Sequence, residues 1–252
     1  MANNDAWRLQ QPARRRGSAV VIVLVMLAIL VIIGGVGLVL LPVYLHSNNV
    51  SSQVTPVSKS ALRPDQSPQT VYKSITSSPP VLIDPLTHNT MMQWFGNLPS
   101  YSAGGATLSA DHLELISQCA AAYTDLNNFA VQVKMTIVHG DEGGLIFRYD
   151  SNTAHSGIFS LDTGGAFSMM ITSNPFNTLL HHPDAAIKAG LGQSNILTVI
   201  VEGQTVLLYV NDHYLGQVTN ANIPRNGGIG LMAYDVADPT DVLFSNLRVW
   251  KL

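Results

Sequence analysis

Cysteine is almost absent from this chain. Cys119 is the only one in 252 residues, which excludes an intrachain disulfide. It sits among small residues in QCAAAY and reads as a buried small hydrophobe. Charge is sparse, at 12% of residues, and it is unevenly placed. Residues 1–80 hold seven Lys/Arg against two Asp/Glu, a net +5, whereas residues 81–252 hold six against fourteen, a net −8; the two parts give the chain's −3. An acidic C-terminal part repels phosphate backbones, so nucleic acid is not an expected partner. Also missing are HExxH, a Cys/His zinc pair, GxSxG and a glycine-rich phosphate loop leading into a helix. His181 and His182 are adjacent, and neighbours on an extended chain point apart, so they do not form a zinc site. No segment repeats at a fixed period. Residues 81–252 contain only three glutamates, Glu114, Glu142 and Glu202, which restricts chemistry that needs paired carboxylates.

One long apolar run is present. Ala19 to Leu41 is 23 residues without a charge. As a helix it would span about 35 Å at 1.5 Å per residue, enough for a hydrocarbon core of roughly 30 Å. Arg14, Arg15 and Arg16 precede it and Lys59 is the next formal charge, so the positive-inside rule places the N-terminus in the cytoplasm. A cleaved signal peptide would have a shorter apolar core and a small-x-small site. The run is longer and LPVYLHSNN offers no such site, which favours an uncleaved signal anchor. The expected organisation is a cytoplasmic tail over 1–17, a transmembrane helix over 18–41, a flexible Ser/Thr/Pro-rich stalk over 42–80 and a folded domain over 81–252 outside the cell membrane.

In the last part, short runs of Val, Ile, Leu, Tyr and Phe alternate with Gly, Asn and Asp. FAVQVKMTIV (129–138) alternates with period 2, with Phe129, Val131, Val133, Met135 and Ile137 on one face. Turns are predicted at HGDEGG, Gly164-Gly165, Glu202-Gly203 and Asn211-Asp212. Residues 174–194 read as a long connection with a short helix at Asp184 to Lys188. No segment after residue 41 has a long 3.6-residue period. The fold class is therefore all-β, an antiparallel two-sheet sandwich.

GGLIFRYD, the NxLxVxxxGxxxxLYVN run, GxIGLxA and the terminal VLFSNLRVW resemble the concanavalin A-like lectin/glucanase superfamily. Within it, the likeness is greatest to the bacterial 3-keto-disaccharide hydrolase-type domain, over roughly residues 82–252. The resemblance implies a jelly-roll-like sandwich whose concave sheet and rim loops take saccharides, in lectin-like modules and in enzymes. The glucanase branch of the superfamily carries ExDxE, which this sequence lacks.

Candidate site residues follow from the strand pattern. If HGDEGG closes a hairpin centred on Asp141, Lys134 faces Arg148 and Gln132 faces Asp150. Like charges placed opposite need compensation, which Asp150 or an oxygen-rich ligand would supply. Tyr209 and Tyr234, with Trp94 and Tyr149, are candidate stacking surfaces for sugar rings. Glu142 and Asp150 are the candidate catalytic carboxylates, with Arg148 as the cation. No organic cofactor is implied. Calcium would need several oxygens, and Asp235, Asp238 and Asp241 cluster in one loop. The leading functional reading is a membrane-anchored module that binds saccharide or cell-envelope glycan without catalysis. The alternatives are a 3-keto-glycoside-cleaving enzyme and a structural or protein-binding surface domain.

Overall fold

A computed structural model of the chain describes residues 62, 65–89, 93–113, 116–122, 124–172, 177–220 and 222–252. The tail and membrane helix expected over 1–41 lie outside these residues, as does Glu114. Among the described residues, no helix is long and apolar enough to cross a membrane.

The strands form two antiparallel sheets. The first runs in the order β13 (His213–Thr219), β12 (Thr205–Val210), β11 (Ser194–Glu202), β6 (Phe129–His139), β15 (Thr240–Lys251), β4 (Gly105–Ala110) and β3 (Ser100–Ser102), with β1 (Leu82–Asp84) also paired to β15. The second runs β10 (Asn177–Pro183), β9 (Ala166–Ile171), β8 (Gly157–Asp162), β7 (Glu142–Tyr149), β14 (Gly228–Tyr234), β5 (Ile116–Ala121) and β2 (Trp94–Gly96). The core lies between them. Val131, Val133 and Met135 of β6 meet Leu145 and Phe147 of β7, and all are buried. Cys119 is in this core, where burial pushes its thiol up to about 12.

The turns at Gly164-Gly165, Glu202-Gly203 and Asn211-Asp212 join β8–β9, β11–β12 and β12–β13 as the sequence predicts. Three other expectations need correction. The β6–β7 connection is not a hairpin, because β6 belongs to one sheet and β7 to the other. Period 2 with one apolar face is equally satisfied when two successive strands face each other across a core, so alternation cannot separate the two cases. Glycines make the crossing fit: a Cβ on Gly140 (φ +77°) would lie 2.1 Å from Thr240 Oγ1, and one on Gly144 would lie 2.6 Å from the Phe159 carbonyl oxygen. The 174–194 connection contains a strand, β10, and Asp184 to Lys188 is a turn rather than a helix.

The third correction concerns the stalk. Its C-terminal part is a helix, α1 (Pro68–Thr76), with Ser67 as N-cap: the Thr70 N–H donates to Ser67 Oγ at 3.2 Å and Pro68 opens the helix. Val71, Tyr72 and Ile75 form its buried face, against Ala130, Ile200, Leu207, Tyr209 and Trp250 on the outside of the first sheet. The Leu62 N–H donates to Glu202 at 2.7 Å, so the packed segment reaches back beyond Val81 to at least Leu62.

Candidate functional site: a loop-end groove

The site is built around an irregularity in β7. Opposite β14, Tyr149 pairs with Gly228 and Phe147 with Ile229, so Arg148 is the extra residue of a β-bulge, with φ +51°. Simple alternation would turn Arg148 outward. The bulge re-aims it instead, into the end of the sandwich, where it is 0% exposed. There the guanidinium meets only backbone carbonyls. Nε and Nη2 donate to Asn127 at 3.0 and 2.6 Å, and Nη1 donates to Pro224 at 2.9 Å and to Gly203. Burial pulls its pKa down to about 10. Gly227 permits the close approach, since a Cβ there would lie 2.6 Å from the Arg148 carbonyl carbon.

Asn127, Gly203 and Pro224 belong to three different loops, so Arg148 ties the loops of one sandwich end together. Above it lies a groove of about 700 Å³ lined by the β5–β6, β7–β8 and β13–β14 loops, with Asp125, Asp150, His155, Asn222, Arg225 and Asn226 among its residues. Asp150 is held in an Asx turn. It accepts from the Asn152 N–H at 2.9 Å and from Thr153 Oγ1 at 2.8 Å, bonds that keep its carboxyl below the ordinary range. Asn226 Nδ2 donates to Asp125 at 2.6 Å. The groove edge is Tyr149, whose ring centroid lies 6.4 Å from that of Phe95, itself 41% exposed. A second groove of about 570 Å³ adjoins the first. It is lined by Asn127, Gly203, Gln204, Thr219 and Arg225, and Arg225 is shared between the two.

Of the predicted ligand set, Tyr149 and Asp150 line this groove. The quartet of Gln132, Lys134, Arg148 and Asp150 does not form. Lys134 and Arg148 lie in different sheets, and Lys134 is exposed on β6 between Ile196 and Ser245. Gln132 is under α1, donating to the Tyr72 hydroxyl at 3.1 Å and to Thr198 Oγ1 at 2.9 Å. Tyr209 does alternate away from the sandwich core, but α1 covers it. It is 0% exposed and donates to the Pro68 carbonyl at 2.7 Å. Trp94 is buried in the core. Asn222, Arg225 and Asn226 were missed. Their signal was the polar run NIPRNGG between two apolar strands, the composition of a loop that presents side chains.

Glu142 and Tyr234 sit at the opposite end of the second sheet. Glu142 is six residues from Arg148 along β7, about 20 Å at strand rise, so the Glu142–Arg148–Asp150 set cannot meet at one bond. Burial pushes the Glu142 carboxyl up, and the Asp162 charge adds to that. Asp162 is its direct cross-strand partner. Tyr234 packs against the cluster of buried Ile146, Ile158 and Met232 on the outer face of this sheet.

The Asp235–Asp241 loop is organised by protein groups. Asp141 Oδ2 accepts from the N–H groups of Val236, Ala237 and Asp238 at 2.8–3.0 Å. Asp241 accepts from Ser109 Oγ at 2.5 Å, while Asp235 is 2% exposed with Oδ1 unpartnered. Burial pushes the Asp235 carboxyl up, as do the Asp141 and Asp238 charges. Asp235, Asp238 and Asp241 therefore do not converge on a cation: among the described residues, no group of three or more His, Cys, Asp or Glu could hold a metal ion.

No family model and no curated protein sequence matches the chain. Solved structures do match its fold. A carbohydrate binding module from Bacillus subtilis (CBM66) aligns at 16% identity and TM-score 0.55, covering 64% of this chain and 98% of that one. A Bacillus licheniformis β-glucanase aligns at 12% identity and TM-score 0.54, covering 68% and 98%. The VIP36 exoplasmic/lumenal domain, in a Ca²⁺/mannose-bound form, aligns at 14% and 0.51, covering 68% and 89%. The fold is thus the two-sheet antiparallel sandwich that these structures share. At these identities the likeness concerns the fold, and the narrower resemblance to the 3-keto-disaccharide hydrolase type gains no support from it.

Proposed function

We propose that the sandwich is a saccharide-binding module that holds its ligand, without catalysis, in the loop-end groove. The observation that carries this reading is the groove itself. It is a concavity of about 700 Å³ whose lining offers carboxylates, amides and a guanidinium, with Tyr149 at its edge. Carboxylates and amides accept and donate to vicinal hydroxyls, and an aromatic face suits the C–H side of a sugar ring. Arg148 fixes two of the groove's three loops, β5–β6 through Asn127 and β13–β14 through Pro224, which lowers the ordering cost of binding. That the fold is shared with a carbohydrate binding module and with a mannose-bound domain agrees with this reading. The test is a glycan array of neutral and acidic oligosaccharides probed with the full-length chain, followed by calorimetry on the hits. Asp150→Ala should weaken binding about tenfold, the worth of one charge-assisted hydrogen bond, and Asn222→Ala about fivefold, that of a neutral one.

The module is proposed to be tethered to the cell membrane through residues 18–41, with the sandwich outside. Protease shaving of intact cells tests this: the sandwich should be cut and the basic tail protected.

A hydrolytic reading rests on one observation, the buried Glu142 facing Asp162 across β7 and β8. Glycoside cleavage uses two carboxyl groups flanking the scissile bond, and burial pushes that of Glu142 up. Turnover of an oligosaccharide that is abolished by Glu142→Gln would favour it over simple binding.

A further inference from the structure

Resting on that saccharide reading, we infer that the second groove is an anion subsite and that the ligand class is an acidic oligosaccharide: neutral hydroxyls in the first groove, a carboxylate substituent in the second. The charges around Arg225 are arranged asymmetrically. Both acids of the site, Asp125 and Asp150, line the first groove only. Among the described residues, Arg225 is the only charged residue that lines the second groove.

Arg148 bonds to this lining from a fully buried position and, among the described residues, donates to carbonyls alone. Two of those carbonyls, Asn127 and Gly203, belong to residues that line the second groove. Backbone oxygens that would otherwise repel an anion are therefore turned down onto the guanidinium. The nearest acid in sequence, Glu202, accepts from the Leu62 N–H. Of the six Lys/Arg in residues 81–252, Arg225 lines this groove and Arg148 bonds to two of its lining residues.

Gln204 also lines the second groove. The Gln204 side-chain Oε1 is buried and has no hydrogen-bond partner. An ionised carboxylate only accepts hydrogen bonds, so the end of this amide that suits it is the N–H₂ and not that oxygen. A planar carboxylate suits Arg225 through paired N–H donors. The net −8 of residues 81–252 disfavours densely charged polyanions at long range, which selects a ligand carrying isolated acidic groups rather than a polyelectrolyte.

The experiment uses the full-length chain and matched probes: hexuronate-containing oligosaccharides and their carboxyl-reduced counterparts, titrated by calorimetry at low and high salt. The acidic member of a matched pair should bind about tenfold tighter. Added salt should shrink that preference, and Arg225→Gln should bring the ratio close to one. Gln204→Ala, which touches the second groove only, should lower the ratio without unfolding the domain. Equal binding of both members overturns the anion subsite and leaves the saccharide reading intact. Binding of neither member, with the protein folded, overturns the saccharide reading and this inference with it.

Discussion

Arg148 grips one carbonyl twice: its Nε and Nη2 both donate to the backbone oxygen of Asn127, at 3.0 and 2.6 Å. The same guanidinium reaches Pro224 and Gly203. One side chain on a bulged strand thus sets the relative positions of three loops. Lysine cannot reproduce this, because its ammonium is a point donor on a flexible stem and cannot span three carbonyls. Arg148→Lys is expected to cost about 2–4 kcal/mol, since buried carbonyls lose their partners. Urea denaturation measures it. A loss below about 0.5 kcal/mol, the scale of a neutral surface change, would mean that the loops do not depend on this residue.

Helix α1 belongs to the folded unit. The Tyr72 and Tyr209 rings lie 4.9 Å apart, and the Tyr72 hydroxyl donates to Asp212. Burial, followed by the Asp212 contact, pushes the Tyr72 phenol up to about 12. Tyr72→Ala should destabilise the sandwich by about 3 kcal/mol, the cost of emptying a buried aromatic site. A chain begun at Val81 should melt at lower temperature than one begun at Leu62. Equal melting temperatures would return this segment to the role of a stalk.

Two adjacent carboxyls should give opposite pH signatures. Burial pushes Asp141 up, but the N–H donors of Asp238, Ala237 and Val236 outweigh it and hold the group below its ordinary 3.8. Its folded pKa is depressed, so its stabilisation is present above 3.8 and is lost as pH falls below that value. Glu142 is raised above 4.5 by burial. Its contribution is favourable below 4.5 and is lost as pH rises through the folded value. Asp141→Asn should therefore flatten the acid loss of stability. Glu142→Gln should stabilise the protein at pH 7 and have little effect at pH 4. Melting curves from pH 3 to 8 separate the two.

Much of the fold was legible because its signals are local. Tight turns at Gly164-Gly165 and Asn211-Asp212 and alternation in β6, β11 and β12 carry register and face. Sheet membership was not legible. FAVQVKMTIV and GGLIFRYD pair equally well on paper as a hairpin or as facing strands, and the assumed hairpin produced a quartet that does not exist. The bulge at Arg148 has no periodic signature either, so a buried staple read as an outward ligand contact. α1 was hidden by polar composition, although Ser67-Pro68 followed by Val71, Tyr72 and Ile75 is a capped start with an apolar face. Asp150 was reached through a register that the structure contradicts and Tyr149 through its aromatic ring, and both line the groove because they lie at the end of β7, where loops gather.

The loop end of the sandwich is the proposed saccharide site. The most direct measurement is an ¹⁵N NMR titration of the folded protein with an oligosaccharide hit from the array, repeated on Asp150→Ala. Shifts confined to residues around Asp150, Asn222 and Arg225, with affinity lowered about tenfold in the variant at unchanged melting temperature, are the expected result. Shifts centred instead on Glu142, Ser160 and Tyr234 at the far end of the second sheet, with Asp150→Ala binding as well as the native chain, would contradict it.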